Sequence, residues 1–168
     1  MHISAMIRKI SPDSEFAIYR KSFGSVHIGF VRDAIVSLHI TQDSLNSKKG
    51  SALTDKAVLQ LEEYFNGTRK TFDIPIAPSG SAFQQKIWEA MSSIPYGETR
   101  SYGYIAALAG NPNAARAAGG VCNRNPIQII IPCHRVIGAN GSLTGYAGGL
   151  DIKQKLLEFE ARNVKPSR

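Results

Sequence analysis

Cys133, His134 and Arg135 stand in a row, and they are the residues of this chain best suited to covalent chemistry. The thiolate, not the thiol, is the nucleophile, and neighbouring positive charge favours it, pulling a reactive cysteine below its free value of about 8.5. Adjacent side chains on an extended segment point to opposite sides, so a bridging water is the expected link between the sulfur and the imidazole. Glu160 is the second clue. Near the end of the chain Ile152, Leu156, Glu160 and Val164 recur at the spacing of one helix face, and a carboxylate interrupts that apolar stripe. Paired with His134, it would orient the ring and complete a Cys, His, Glu relay. At a frayed helix end it would simply be solvated, and the residues alone leave both readings open. Cys122, among small residues, reads as a packed and inert thiol.

The elements that must position these groups fall into two parts. Residues 16–20, 25–30 and 34–40 are short β-branched and aromatic runs separated by turn residues, which predicts an antiparallel meander. A polar stretch leads to a helix over 53–65, stopped by Asn66 and Gly67, and then to a short extended piece at 71–76. Ala77, Pro78, Ser79 and Gly80 form the best linker, so the expected domains are 1–79, supporting, and 80–168, carrying the site. A helix over 81–94 has Phe83, Ile87, Trp88 and Met91 at helical spacing. Two short small-residue helices within 101–110 and 114–125, split by Asn111-Pro112-Asn113, outline a helix-turn-helix. The run Ile127 to Ile131 predicts a buried strand ending at Pro132. A glycine-dense loop and a closing helix over 151–162 complete the chain.

Composition narrows the class. The chain has 168 residues, 43% hydrophobic and 20% charged, as expected of a soluble globular protein with a real core. No run of about 18 apolar residues and no signal-like start appear, so the expected compartment is the cytoplasm, without a membrane. Two cysteines and four histidines give no structural zinc spacing, so no metal is expected. The net charge of +7 favours a polyanionic partner. From Thr99 to Leu150 the only charged side chains besides histidine are Arg100, Arg116, Arg124 and Arg135, forked donors suited to phosphate.

The string Asn125-Pro126, the isoleucine run and Ile131-Pro132-Cys133-His134-Arg135-Val136 resembles the active-site signature of the O6-alkylguanine-DNA alkyltransferases, or methylated-DNA–protein-cysteine methyltransferases. Pro95 to Tyr102, Ala107 to Gly120, and Thr144-Gly145-Tyr146 with Gly148-Gly149 resemble further segments of that family in the same order. The resemblance implies a ribonuclease-H-like N-terminal α/β domain and a mostly helical C-terminal domain with the helix-turn-helix. It implies repair of duplex DNA containing O6-alkylguanine by a monomer, with one-time transfer of the alkyl group to Cys133 after nucleotide flipping, and without a cofactor. Acceptance of O4-alkylthymine and cooperativity on DNA are left open.

Position by position, the resemblance makes Cys133 the acceptor, His134 its base through a water, Glu160 the carboxylate that orients the ring, and Asn125 a hinge. Arg116 would fill the space left in the base stack, and Tyr102 would press on the neighbouring phosphate. Gly103, Asn111, Arg135 and Ala139 would join them on DNA. Tyr102, Val136, Tyr146, Ala147 and Gly148 would line the guanine pocket. The alternatives are a cysteine hydrolase and a non-catalytic DNA-binding module.

Overall fold

A computed structural model describes residues 13–43 and 46–164; the reading of the first ten residues as lacking a signal lies outside the described residues. Contacts divide the chain into two compact units, residues 1–79 with Pro126–Gln128, and Gly80–Asn125 with Ile129–Arg168.

The first unit is built on strands β1 (Glu15–Lys21), β2 (Gly24–Val31) and β3 (Ala34–Thr41), an antiparallel sheet in the order β1-β2-β3. Both hairpins are tight. Lys21 pairs with Gly24 and Val31 with Ala34, leaving two-residue loops. The second loop needs a left-handed residue, and Arg32 supplies it at φ 51°. A bulge at Gly29 and Phe30 adds twist. Both edges of the sheet are covered, which removes the hazard of open strand edges. Lys48 exchanges backbone hydrogen bonds with Ile18 on β1, while Ile76 and Ile127 bridge to Ile35 and Leu38 on β3.

Helix α1 (Ala52–Phe65) starts at a capping box in which Ser51 and Thr54 satisfy each other's backbone N–H groups. It buries Ala57, Val58, Leu61 and Tyr64, each side chain of that size contributing about 1.5–3 kcal/mol except the alanine. Asn66 and Gly67, the latter at φ 78°, end it as expected.

The second unit begins with α2 (Ala82–Ser92), capped by Ser81 and Gln84 in the same reciprocal manner. Ile87, Trp88 and Met91 face the core of that unit. A two-residue strand β4 (Arg100–Ser101) leads directly into α3 (Tyr102–Leu108), and α4 (Ala115–Asn123) follows after a turn. β4 runs parallel to β5 (Val136–Ile137), a pairing that short polar sequence did not announce. The closing helix α5 spans Leu150–Val164. Among the described residues no helix is long and apolar enough to cross a membrane.

The isoleucine run does not form the expected five-residue strand. Ile127 belongs to the first unit and Ile129 and Ile131 to the second, so the run is shared between two cores. Ile129 takes φ 69°, a conformation costly for a β-branched residue, and breaks the extension.

Candidate active site

The strand pair β4–β5 sets the frame. Ser101 pairs with Ile137, so Tyr102, the next residue, starts its helix beside the segment that carries Cys133. Cys133–Arg135 is not extended but forms one turn of 3-10 helix, closed by Arg135 N–H donating to Pro132 O at 3.0 Å. This corrects the alternating geometry assumed from sequence. Asn125, just past α4, then ties two parts together. Its Nδ2 donates to Ile131 O at 2.7 Å and to Cys133 Sγ at 3.1 Å. One amide thus ties the end of the helix to the Cys133 sulfur.

Glu160 is fully buried, which removes the solvated alternative. His134 Nε2 lies 2.8 Å from Glu160 Oε1. Arg135 grips the same carboxylate through Nε and Nη2, both at 2.9 Å, and Gly97 N–H donates to Oε2 at 2.9 Å. Burial opposes ionisation of Glu160, but these hydrogen bonds and the Arg135 charge outweigh it and hold its pKa down at about 2. A carboxylate can only accept, so the His134 proton belongs on Nε2 and the lone pair of the neutral ring on Nδ1. Burial keeps the ring on the neutral side by lowering its pKa, although Glu160 pulls the other way. Nδ1 is buried and has no hydrogen-bond partner among the described residues.

The positive neighbours do not activate Cys133 at rest. Burial pushes the thiol up, while the Asn125 amide and the Lys153 ammonium lower it by less. Arg135 spends its charge on Glu160 and is itself buried, with Nη1 donating to Ile94 O at 2.7 Å. Arg135, expected among the DNA contacts, braces the carboxylate from inside.

Lys153 is the residue beside the site that sequence reading missed. It is fully buried, and its ammonium donates to Val136 O at 2.5 Å, Thr144 O at 2.8 Å and Tyr102 Oη at 3.3 Å. Tyr102 Oη also donates to Thr144 O at 2.7 Å. Lys153 and Tyr102 thus anchor the middle of the glycine-dense loop through the Thr144 carbonyl. The α5 face toward the core is Lys153, Leu156 and Glu160, whereas Ile152 and Val164 are about half exposed. The spacing i, i+3, i+7 was available as a signal; lysine was passed over because it is rarely buried.

Of the expected pocket residues, Val136 is buried and Tyr146 half-buried, with burial and the nearby Cys133 raising the Tyr146 phenol. Ala147 and Gly148 are exposed beside it, and a side chain at Gly148 would strike the Tyr146 ring. Asn111, Arg116 and Ala139 are exposed, and Gly103 is partly so. Cys122 is buried with Sγ 3.3 Å from Met91 Sδ, and burial raises it to about 12.

Comparison with known proteins follows the same division. The 6-O-methylguanine DNA methyltransferase ribonuclease-like domain matches residues 11–78, and the DNA-binding domain of the same enzyme matches residues 82–162. A methylated-DNA–protein-cysteine methyltransferase of Methanosarcina barkeri is 46% identical over 155 residues, covering 92% of this chain and 96% of its own. The corresponding protein of Methanosarcina acetivorans is 62% identical over 105 residues, which is 62% of this chain and 67% of the relative. The crystal structure of Mycobacterium tuberculosis O6-methylguanine methyltransferase superposes with a TM-score of 0.80 at 38% identity, covering 92% of this chain and 96% of that one. A structure of the Mycobacterium tuberculosis protein in complex with DNA gives a TM-score of 0.78 at 41% identity, over 87% and 92% of the two chains.

The chain belongs to the O6-methylguanine DNA methyltransferase family. Its activity is that of a methylated-DNA–protein-cysteine methyltransferase, a DNA-binding enzyme of DNA repair. That assignment sets aside both the hydrolase and the non-catalytic module.

Proposed function

We propose that this protein removes the alkyl group from O6 of guanine in duplex DNA, flips the damaged nucleotide to reach it, and keeps the group on Cys133 for good. A base inside a duplex cannot offer its O6 substituent to a protein sulfur, so extrusion is required, at a cost of a few kcal/mol. Arg116, exposed at the start of α4, offsets part of that cost by entering the stack. Tyr102 turns the nucleotide at its phosphate, and Tyr146 receives the guanine.

The proton of Cys133 passes through a water to His134 Nδ1. Glu160, ionised far below neutral pH, stabilises the imidazolium that results. The thiolate then displaces the alkyl carbon: an S–C bond forms, the C–O bond breaks, and the guanine that leaves takes up a proton. A phenol or backbone donors at the pocket stabilise its developing charge. No step restores the thiol, so one protein repairs one lesion.

The observation that best supports this reading is the buried chain from Asn125 through Cys133 and His134 to Glu160, in which one ring nitrogen is spent on the carboxylate and the other is not. The role of Arg116 is tested by comparing Arg116→Ala with the parent on methylated duplex DNA and on a free O6-alkylguanine. The expected loss is at least ten-fold on the duplex and less than two-fold on the free base, about 1 kcal/mol or more separating the two. Equal losses on both substrates would remove Arg116 from the extrusion step.

A further inference from the structure

The acid-free segment carries four arginines, and the structure sorts them into two pairs. Arg100 donates to Glu98 at 2.7 Å in a partly exposed pair and Arg135 to Glu160 at 2.9 Å in a buried one, so each already has a carboxylate partner within the protein. Among the described residues Arg116 and Arg124 form no ion pair. Both are exposed, and both belong to α4, Arg116 in its first turn and Arg124 at its C-terminal cap.

The face of α4 between them is nearly bare. Ala118, Val121 and Cys122 point into the core, Ala117, Asn123 and the two arginines are exposed, and Gly119 and Gly120 are partly exposed, with Gly119 beside the Tyr102 ring. Arg124 folds back along this face. A Cβ built on Gly120 would lie 3.4 Å from its Nη2, so the missing side chain at Gly120 leaves the guanidinium room to lie low over the helix. Residues eight apart on a helix are about 12 Å apart along the axis. A track of small residues with a forked cation at each end suits the polyanionic backbone on either side of a narrow groove.

We infer that Arg124 is a DNA-gripping residue that binds a backbone phosphate at the far end of the α4 track from Arg116. The inference rests on the proposed function in one respect, that α4 is the helix laid against DNA. Arg124 adds affinity without sequence preference, because a phosphate carries no base information. Its position at a helix C-terminus offers another use, favourable interaction with the last carbonyl groups, which would stabilise the fold and not touch DNA.

Salt dependence separates the two uses. Binding of the parent, Arg124→Gln and Arg124→Lys to lesion-bearing duplex is measured from low to moderate salt, with thermal melting of each protein alongside. Each phosphate contact contributes about 0.9 to the slope of log affinity against log salt. Arg124→Gln is expected to reduce that slope by about 0.9 and to weaken binding several-fold at low salt. Arg124→Lys, which keeps the charge, is expected to restore the slope. An unchanged slope in Arg124→Gln overturns the inference, including the case in which only its melting temperature falls. If the parent takes no methyl group from duplex DNA, the functional reading fails first and the inference with it.

Discussion

Two thiols eleven positions apart in the second unit are both buried, yet their surroundings differ in kind. Cys122 lies on the apolar side of α4 and faces Met91, and its thiol is held protonated up to about 12. Cys133 is as thoroughly enclosed, but what encloses it is polar: an amide donor on its sulfur, a lysine ammonium close enough to lower its pKa, and an imidazole on the next residue. Burial raises both thiols. What separates them is the neighbour: Cys133 adjoins an imidazole that a buried carboxylate holds, which the proposed function uses as the route for the proton. Under the proposed function, reactivity at Cys133 is switched on by proton transfer and is not that of a resting thiolate.

The largest test of that contrast is at Glu160. In Glu160→Gln the Arg135 guanidinium stays buried without its anion, and breaking such a pair costs about 3–5 kcal/mol. Melting temperature should drop sharply, and methyl transfer by the fraction that remains folded should be slower by orders of magnitude. The same carboxylate predicts a pH dependence of stability. Its folded value, about 2, lies below the ordinary 4.5, so its stabilisation is present above 4.5 and is lost as pH falls from there towards 2. Denaturant titrations of the parent across that window should show the loss, and Glu160→Gln should flatten it.

Asn125→Leu is expected to have a smaller effect. It leaves the Ile131 carbonyl without that donor, which costs about 1–3 kcal/mol. It also removes the hydrogen bond that lowers the Cys133 pKa, so the rise of transfer rate with pH should move to higher pH. A profile that stays in place would mean that the amide serves only the fold.

Much of this was legible in the chain. The meander and the helices over 53–65 and 81–94 follow from periodicity and punctuation, because each depends on neighbours close in sequence. Cys133, His134 and Glu160 were legible for a similar reason, two being adjacent and the third standing out on an apolar stripe. What sequence reading missed depends on distant partners. The face of α5 was read one residue off, through Ile152 and Val164 instead of Lys153, because a buried lysine makes sense only once the carbonyl groups of Val136 and Thr144 converge on it. The isoleucine run looked like one strand because every residue is apolar except Gln128. That polar residue was the hint: it accepts from Ile40 N–H on β3 at 2.9 Å, and the chain turns just after it. Arg135 looked like a surface cation because its acid lies 25 positions away.

The central claim is chemical, and peptide-resolved mass measurement after incubation with methylated duplex DNA tests it directly. The account predicts a gain of one methyl per protein, located on the peptide that carries Cys133, with Cys122 unmodified and no further gain on added substrate. A methyl group on Cys122, or repeated repair by a protein whose Cys133 stays free, would contradict it.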